Sequence, residues 1–127
     1  MDDMTINQPH VLAEVEQQFQ RYEIALTTND TVVLDELFWH SPHTVRLGAG
    51  ENLYGIEEIQ AFRASRPAAN LDRSLRNTVI TTYGEGMAVC STEFTRNNTT
   101  KIGRQQQTWV KFPQGWRIVA AHVSLMS

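Results

Sequence analysis

The chain has 127 residues, is 41% hydrophobic and carries a formal net charge of -3. That size suits one domain, residues 1–127, with a core of its own, and the composition is neither that of a disordered chain nor that of a membrane-embedded one. Mild acidity without a basic run argues against nucleic acid as the main partner, since nothing offers a phosphate-neutralising surface. In chain order, residues 10–28 place Val11, Val15, Phe19, Tyr22 and Leu26 at near-helical spacing and predict a first amphipathic helix. Asp30 or Thr31 can cap a short second helix through residue 38, Ser41-Pro42 stops it, and residues 43–47 read as a short strand. A glycine-rich loop covers 48–52, Leu53-Tyr54 and Gly55 follow, and residues 56–65 form a third helix ended by Pro67. Four long strands are predicted at 71–83, 86–97, 102–112 and 115–125, separated by glycine-, asparagine- and proline-containing turns.

Helices first and antiparallel strands afterwards indicate an α+β fold. A long twisted sheet curls, so the expected shape is a cone: a strongly curved, mostly antiparallel sheet packed on three N-terminal helices, with a pocket between the layers. The last strand is apolar on both alternating faces. Trp116, Ile118, Ala120, His122 and Ser124 share one face; Val119, Ala121, Val123 and Leu125 share the other. A strand with one side in water would be polar on that side, so both faces are expected to be covered. The face holding His122 and Ser124 is a candidate pocket wall. The other face, with Trp109 from the preceding strand, is an apolar patch that a second subunit would bury, giving a homodimer or a dimer of dimers.

Nine arginines stand against two lysines. The arginine fork binds carboxylates through two parallel hydrogen bonds, which suits an anionic small-molecule ligand, although composition alone can give the same bias. His10, His40, His43 and His122 are scattered and no cysteine or carboxylate cluster has ligand spacing, so no metal and no cofactor are expected. Cys90, the one cysteine, cannot form an internal disulfide and suits a reducing compartment. Acidic Asp2 and Asp3 stand where a signal peptide would be positive, and the expected location is the cytoplasm, with no membrane partner.

Several residues have two readings. Tyr22 sits on the apolar side of the first helix and by its position alone reads as a core aromatic whose hydroxyl finds a backbone partner. Arg46 is either an edge-strand cation reaching water or an inward cation needing an anion. Arg63, Arg66 and Arg104 are each more often surface residues than ligand contacts, although one of the three is expected to reach a pocket. Arg104, Gln106 and Thr108 share one strand face and can bind a polar ligand or merely pair across strands; Gln105, Gln107 and Trp109 share the other. His122 is either a satisfied core group or a ligand contact, and its spacing from Ser124 does not guarantee a nucleophile pair.

The order of elements, with Leu37-Phe38, Gly55-Ile56 and the run Gly115 to Ser124, resembles the nuclear transport factor 2-like (SnoaL-like, cystatin-like) superfamily over the whole chain. Within it, Arg21-Tyr22-Glu23, Val45-Arg46, Glu51 to Gly55, Ala61-Phe62-Arg63 and Gly103 to Trp109 resemble the narrower AtzH/HpxZ group. That resemblance implies a decarboxylating amidohydrolase converting 1,3-dicarboxyurea to allophanate in cyanuric acid (s-triazine) breakdown. Its alternatives are a hydrolase of oxalurate-type ureido acids and a non-catalytic carboxylate-binding partner of a pathway amidase. Alignment with ketosteroid isomerase, a relative in the superfamily, puts that enzyme's oxyanion-hole tyrosine on Tyr22, its general base on Arg46 and its protonated aspartic acid on Thr108. Steroid isomerisation is therefore not expected. The resemblance implies Tyr22 as a proton-transferring catalytic hydroxyl and Arg46 as catalytic, Arg63 as pocket-lining with Arg66 and Arg104 as its rivals for a second carboxylate, and Arg104, Gln106 and Thr108 as facing inward toward a small anionic ureido-carboxylate. His122 and Ser124, on the candidate pocket wall, are further expected contacts.

Overall fold

A computed structural model describes residues 4–68 and 71–127, so Asp2 and Asp3 lie outside the described residues. Among the described residues three helices, α1 (Pro9–Thr27), α2 (Thr31–Leu37) and α3 (Ile56–Ser65), accompany six strands. These are β1 (Val45–Leu47), β2 (Asn52–Tyr54), β3 (Ser74–Tyr83), β4 (Met87–Thr95), β5 (Gly103–Phe112) and β6 (Gly115–Leu125). They form one sheet in the order β2-β1-β6-β5-β4-β3, antiparallel except where β1 lies parallel to β6. This is the α+β arrangement expected, and among the described residues no helix is long and apolar enough to cross a membrane.

Local chemistry sets the helix ends. Pro9 opens α1, where its missing N–H costs nothing. Asp30 caps α2 by accepting from the Val33 N–H at 3.2 Å. Gly55 starts α3 at φ 88°, a left-handed conformation that side chains resist, with the Pro42 backbone close behind it.

The core lies between α1, α2, α3 and the concave face of the sheet. Val15, Leu34, Leu37, Phe38, Ile59, Trp109 and Ile118 are all at most 1% exposed. Each fully buried aliphatic or aromatic side chain of this kind contributes about 1.5–3 kcal/mol.

One feature of β6 overturns the predicted faces. Trp109 pairs with Ile118 while Thr108 pairs with Ala120, so Val119 is an extra residue in a β-bulge. A single inserted residue moves every later side chain to the opposite face. Trp116 and Ile118 point into the core, but beyond the bulge it is Ala121 that does so, while Ala120 and His122 are exposed. Trp109, expected on an outer patch, is completely buried, and Ala121 is buried with it. The apolar patch built from Val119, Ala121, Val123, Leu125 and Trp109 therefore does not exist as one surface.

Candidate functional site

The middle of the sheet forms the floor. A cross-strand row runs Leu53, Arg46, Ala121, Gln107, Cys90, each paired with the next. Arg46 and Gln107 thus flank the small Ala121, about 10 Å apart at the backbone. Cys90 ends this row fully buried in the core, and burial pushes its thiol pKa up to about 12, which removes it as a nucleophile.

Arg46 points inward. Its Nη1 donates to Glu51 Oε2 at 2.8 Å, and its guanidinium lies 5.5 Å from the Phe62 ring centroid on α3. Glu51 reaches it because the β1–β2 hairpin closes through the Gly48 N–H to Glu51 carbonyl bond at 2.7 Å. A Cβ on Gly48 would run into the Glu51 carboxylate. Tyr22 is buried on α1, its ring tilted by 57° against that of Phe38 at 6.3 Å.

The other arginines divide by occupation. Arg63 is buried, donates from Nη1 to Asp35 Oδ1 at 2.6 Å and sits 5.0 Å from the Phe38 ring centroid, so it ties α3 to α2. Arg73 binds Glu23, the neighbour of Tyr22, through Nε at 2.9 Å and Nη2 at 2.7 Å, and donates also to Gln105 Oε1 at 3.0 Å. Arg73 and Arg96 both lie over Phe94, at 4.6 and 5.2 Å. That ring lies over Gly103, where a Cβ would collide with it.

Arg66, just past α3, differs. Its Nε and Nη2 are buried with no hydrogen-bond partner. Burial lowers its pKa; Tyr22 opposes that shift, and Arg63, Arg46 and Arg96 reinforce it. Arg66 is thus a half-buried cation whose nearest charged neighbours include three other arginines. Gln105 Nε2 and Gln107 Nε2 are likewise buried and unpartnered. Each unmet buried donor costs about 1–3 kcal/mol, more for a charged one. The inner side of the sheet is therefore rich in N–H donors that oxygen acceptors would satisfy, and Tyr22 lies close enough to Arg66 to act on its charge.

The structure brings together Tyr22, Arg46 and Arg63 of the residues expected in the site, Arg63 already being engaged by Asp35. It does not bring the rest. The expectation that Arg104, Gln106 and Thr108 face inward is reversed, because Gln105, Gln107 and Trp109 are the buried set on β5. The bulge at Val119 turns His122 and Ser124 outward as well. Arg104, Gln106, His122 and Ser124 line an open groove of about 350 Å³ on the outer sheet face, and Thr108 a smaller one beside Ala120. Sequence reasoning missed Gln105, Gln107, Arg73 and Arg96 as interior groups and left Arg66 among three rivals. One signal was available: a tryptophan belongs in the core, and placing Trp109 inward carries Gln105 and Gln107 with it.

The sequence profile of the AtzH-like family matches residues 4–127. No curated protein matches the chain. Among solved structures, the chain is similar to a protein of unknown function from Pectobacterium atrosepticum, at 72% identity and a TM-score of 0.96, covering 98% of this chain and 99% of that one. A cystatin-like fold protein from Burkholderia xenovorans is 47% identical, with a TM-score of 0.94 and 98% of each chain covered. A nuclear transport factor 2-like superfamily protein from Salmonella enterica is 26% identical, with a TM-score of 0.74 over 93% of this chain and 92% of that one.

Proposed function

The chain belongs to the AtzH-like family of the nuclear transport factor 2-like fold, and from that premise we propose that it is a decarboxylating enzyme acting on a small ureido dicarboxylate, converting 1,3-dicarboxyurea to allophanate. The supporting observation is the juxtaposition of Tyr22 with a cationic interior whose buried nitrogen donors outnumber their acceptors. Arg46 binds the carboxylate that departs and stabilises charge as it moves. Tyr22 passes a proton to the adjacent nitrogen. The C–N bond breaks, its electron pair stays on nitrogen, carbon dioxide leaves, and the tyrosine recovers its proton from water. Dianion and proton give allophanate and carbon dioxide. Such a reaction needs positioning and one proton shuttle from the protein, and these are the two things this interior offers.

In this reading the enzyme works in the cytoplasm, in s-triazine catabolism, as a homodimer whose subunits meet through the outer sheet face. Incubating purified protein with dicarboxyurea and following allophanate and carbon dioxide by carbon-13 NMR tests it. Allophanate formed well above the spontaneous rate supports the assignment. Turnover of oxalurate alone would move the substrate to another ureido acid, and turnover of neither would leave a binding protein.

A further inference from the structure

Gln105 and Gln107 are 3% and 1% exposed, alternate residues on the inner face of β5. Each amide has its oxygen committed. Gln105 Oε1 accepts from Arg73 Nη2 at 3.0 Å, and Gln107 Oε1 accepts from Trp109 Nε1 at 3.1 Å. Guanidinium and indole N–H groups donate and never accept, so neither amide can turn over without losing that bond. The free end of each glutamine is therefore fixed as an N–H donor, and both ends are buried without a partner. Arg66 adds Nε and Nη2, which are the two parallel donors along one edge of a guanidinium fork. Its remaining nitrogen is not among the orphans. Four orphan nitrogens from three residues thus present donors only, and Arg63, the buried arginine of α3, is held by Asp35.

We propose that Arg66, Gln105 and Gln107 form a specificity seat: the Nε–Nη2 edge of Arg66 takes the second terminal carboxylate of the ligand, and the two amide N–H₂ groups take acceptor oxygens along it. The seat rests on the reading of this interior as the substrate pocket and adds what that reading leaves open, namely which residues recognise the end of the ligand that does not react. It selects linear dianions about five chain atoms long and rejects ligands that carry N–H donors in place of the distal carboxylate oxygens. None of the three residues touches the breaking bond; they decide what binds, while Tyr22 and Arg46 act on it.

The test uses stable probes with the carbon-chain length of an N,N′-dicarboxylated urea. Glutarate carries both carboxylates, pentanoate one, and glutaramate replaces the second carboxylate by an amide. Calorimetry on the wild-type protein should give glutarate binding at least about tenfold tighter than either. Arg66→Met should erase that preference while holding or raising the melting temperature, because two unpaired buried donors are removed. Gln107→Glu keeps an acceptor for Trp109 but turns the free end from donor to acceptor, so glutarate affinity should fall at least about tenfold with folding intact. Gln105→Glu should do the same beside Arg73. If these variants bind glutarate like the wild type while Arg46→Met loses it, the seat is wrong and the pocket reading stands. If the wild type binds no dicarboxylate and turns over no ureido acid, both fall together.

Discussion

Glu51 folds back over Gly48 to place Oε2 2.8 Å from Nη1 of Arg46. The pair spans a three-residue strand and the loop after it, so the orientation of the cation depends on a glycine that contributes no side chain. Gly48→Ala puts a methyl group where the carboxylate lies. The expected result is a fall in kcat of about tenfold, with the fold retained, because Arg46 keeps its charge and loses its support. Glu51→Ala should reach the same level, and the double variant should be no worse than either, since both remove one interaction. Additive losses would mean that Gly48 acts through something other than Glu51.

Tyr22 and Arg46 should separate kinetically. Tyr22→Phe preserves the ring against Phe38 and removes one hydroxyl, so the melting temperature should move by only a few degrees while kcat falls at least about 100-fold, the scale of general acid–base catalysis. Arg46→Lys keeps the cation and loses the planar fork, so both kcat and substrate affinity should drop, again by at least about tenfold. Stability lost without a rate effect in the phenylalanine variant would make Tyr22 a core aromatic only.

The legible and illegible parts of this fold have physical causes. Helices α1 to α3 could be read because apolar spacing, Asp30 and Gly55 speak locally, and α3 lies at residues 56–65 as predicted. The sheet's strands could be read too, with ends trimmed where pairing stops: β3 begins at Ser74 because residues 71–73 have no ladder partner. The side each strand shows could not be read from alternation, because Val119 adds one residue and no composition cue marks a bulge. The inward set on β5 went unrecognised for another reason. Polar Gln105 and Gln107 look like solvent-facing residues unless Trp109, which shares their face, is taken as the core residue that sets the strand's inward side. Tyr22 and Arg46 emerged from the resemblance to known families, whereas Arg66 could be told from Arg63 and Arg104 only by seeing which partners each had.

Stability should respond to acid through Glu14. Its carboxylate accepts from Trp116 Nε1 and Lys111 Nζ, both at 2.9 Å, joining α1 to the β5–β6 hairpin. These bonds, that from Trp116 first, hold its pKa below the ordinary 4.5. A carboxylate with a lowered folded-state pKa stabilises fully above the unfolded value and loses that contribution as pH falls through the folded one. Glu14 is 41% exposed, so solvent screening keeps the contribution under about 1 kcal/mol. Melting curves should show Glu14→Gln below the wild type at pH 7, with the gap closing below about pH 4.5. A gap unchanged down to pH 3 would show that Glu14 acts by packing rather than charge.

Assembly is the remaining expectation, and the bulge changes which residues it must use. The sheet face away from the helices carries Val45 and Leu47 from β1, Ala120 from β6, Val79 at 58% exposure and Met87 at 40%, with Arg104, Gln106 and His122 between them. Four strands of about ten residues project roughly 600 Å² of sheet, on the scale of one side of a standard interface. Two copies stacked face to face would bury these apolar residues symmetrically and let Arg104 and His122 meet polar groups of the partner copy. Sedimentation equilibrium at micromolar concentration should give a dimer or a multiple of it. Ala120→Arg should shift the protein toward monomer without a loss of melting temperature in the isolated subunit, because this position is exposed in the chain by itself. A wild-type monomer at that concentration would mean that the outer face is stable in water as it stands, its apolar residues too dispersed among polar ones to drive association.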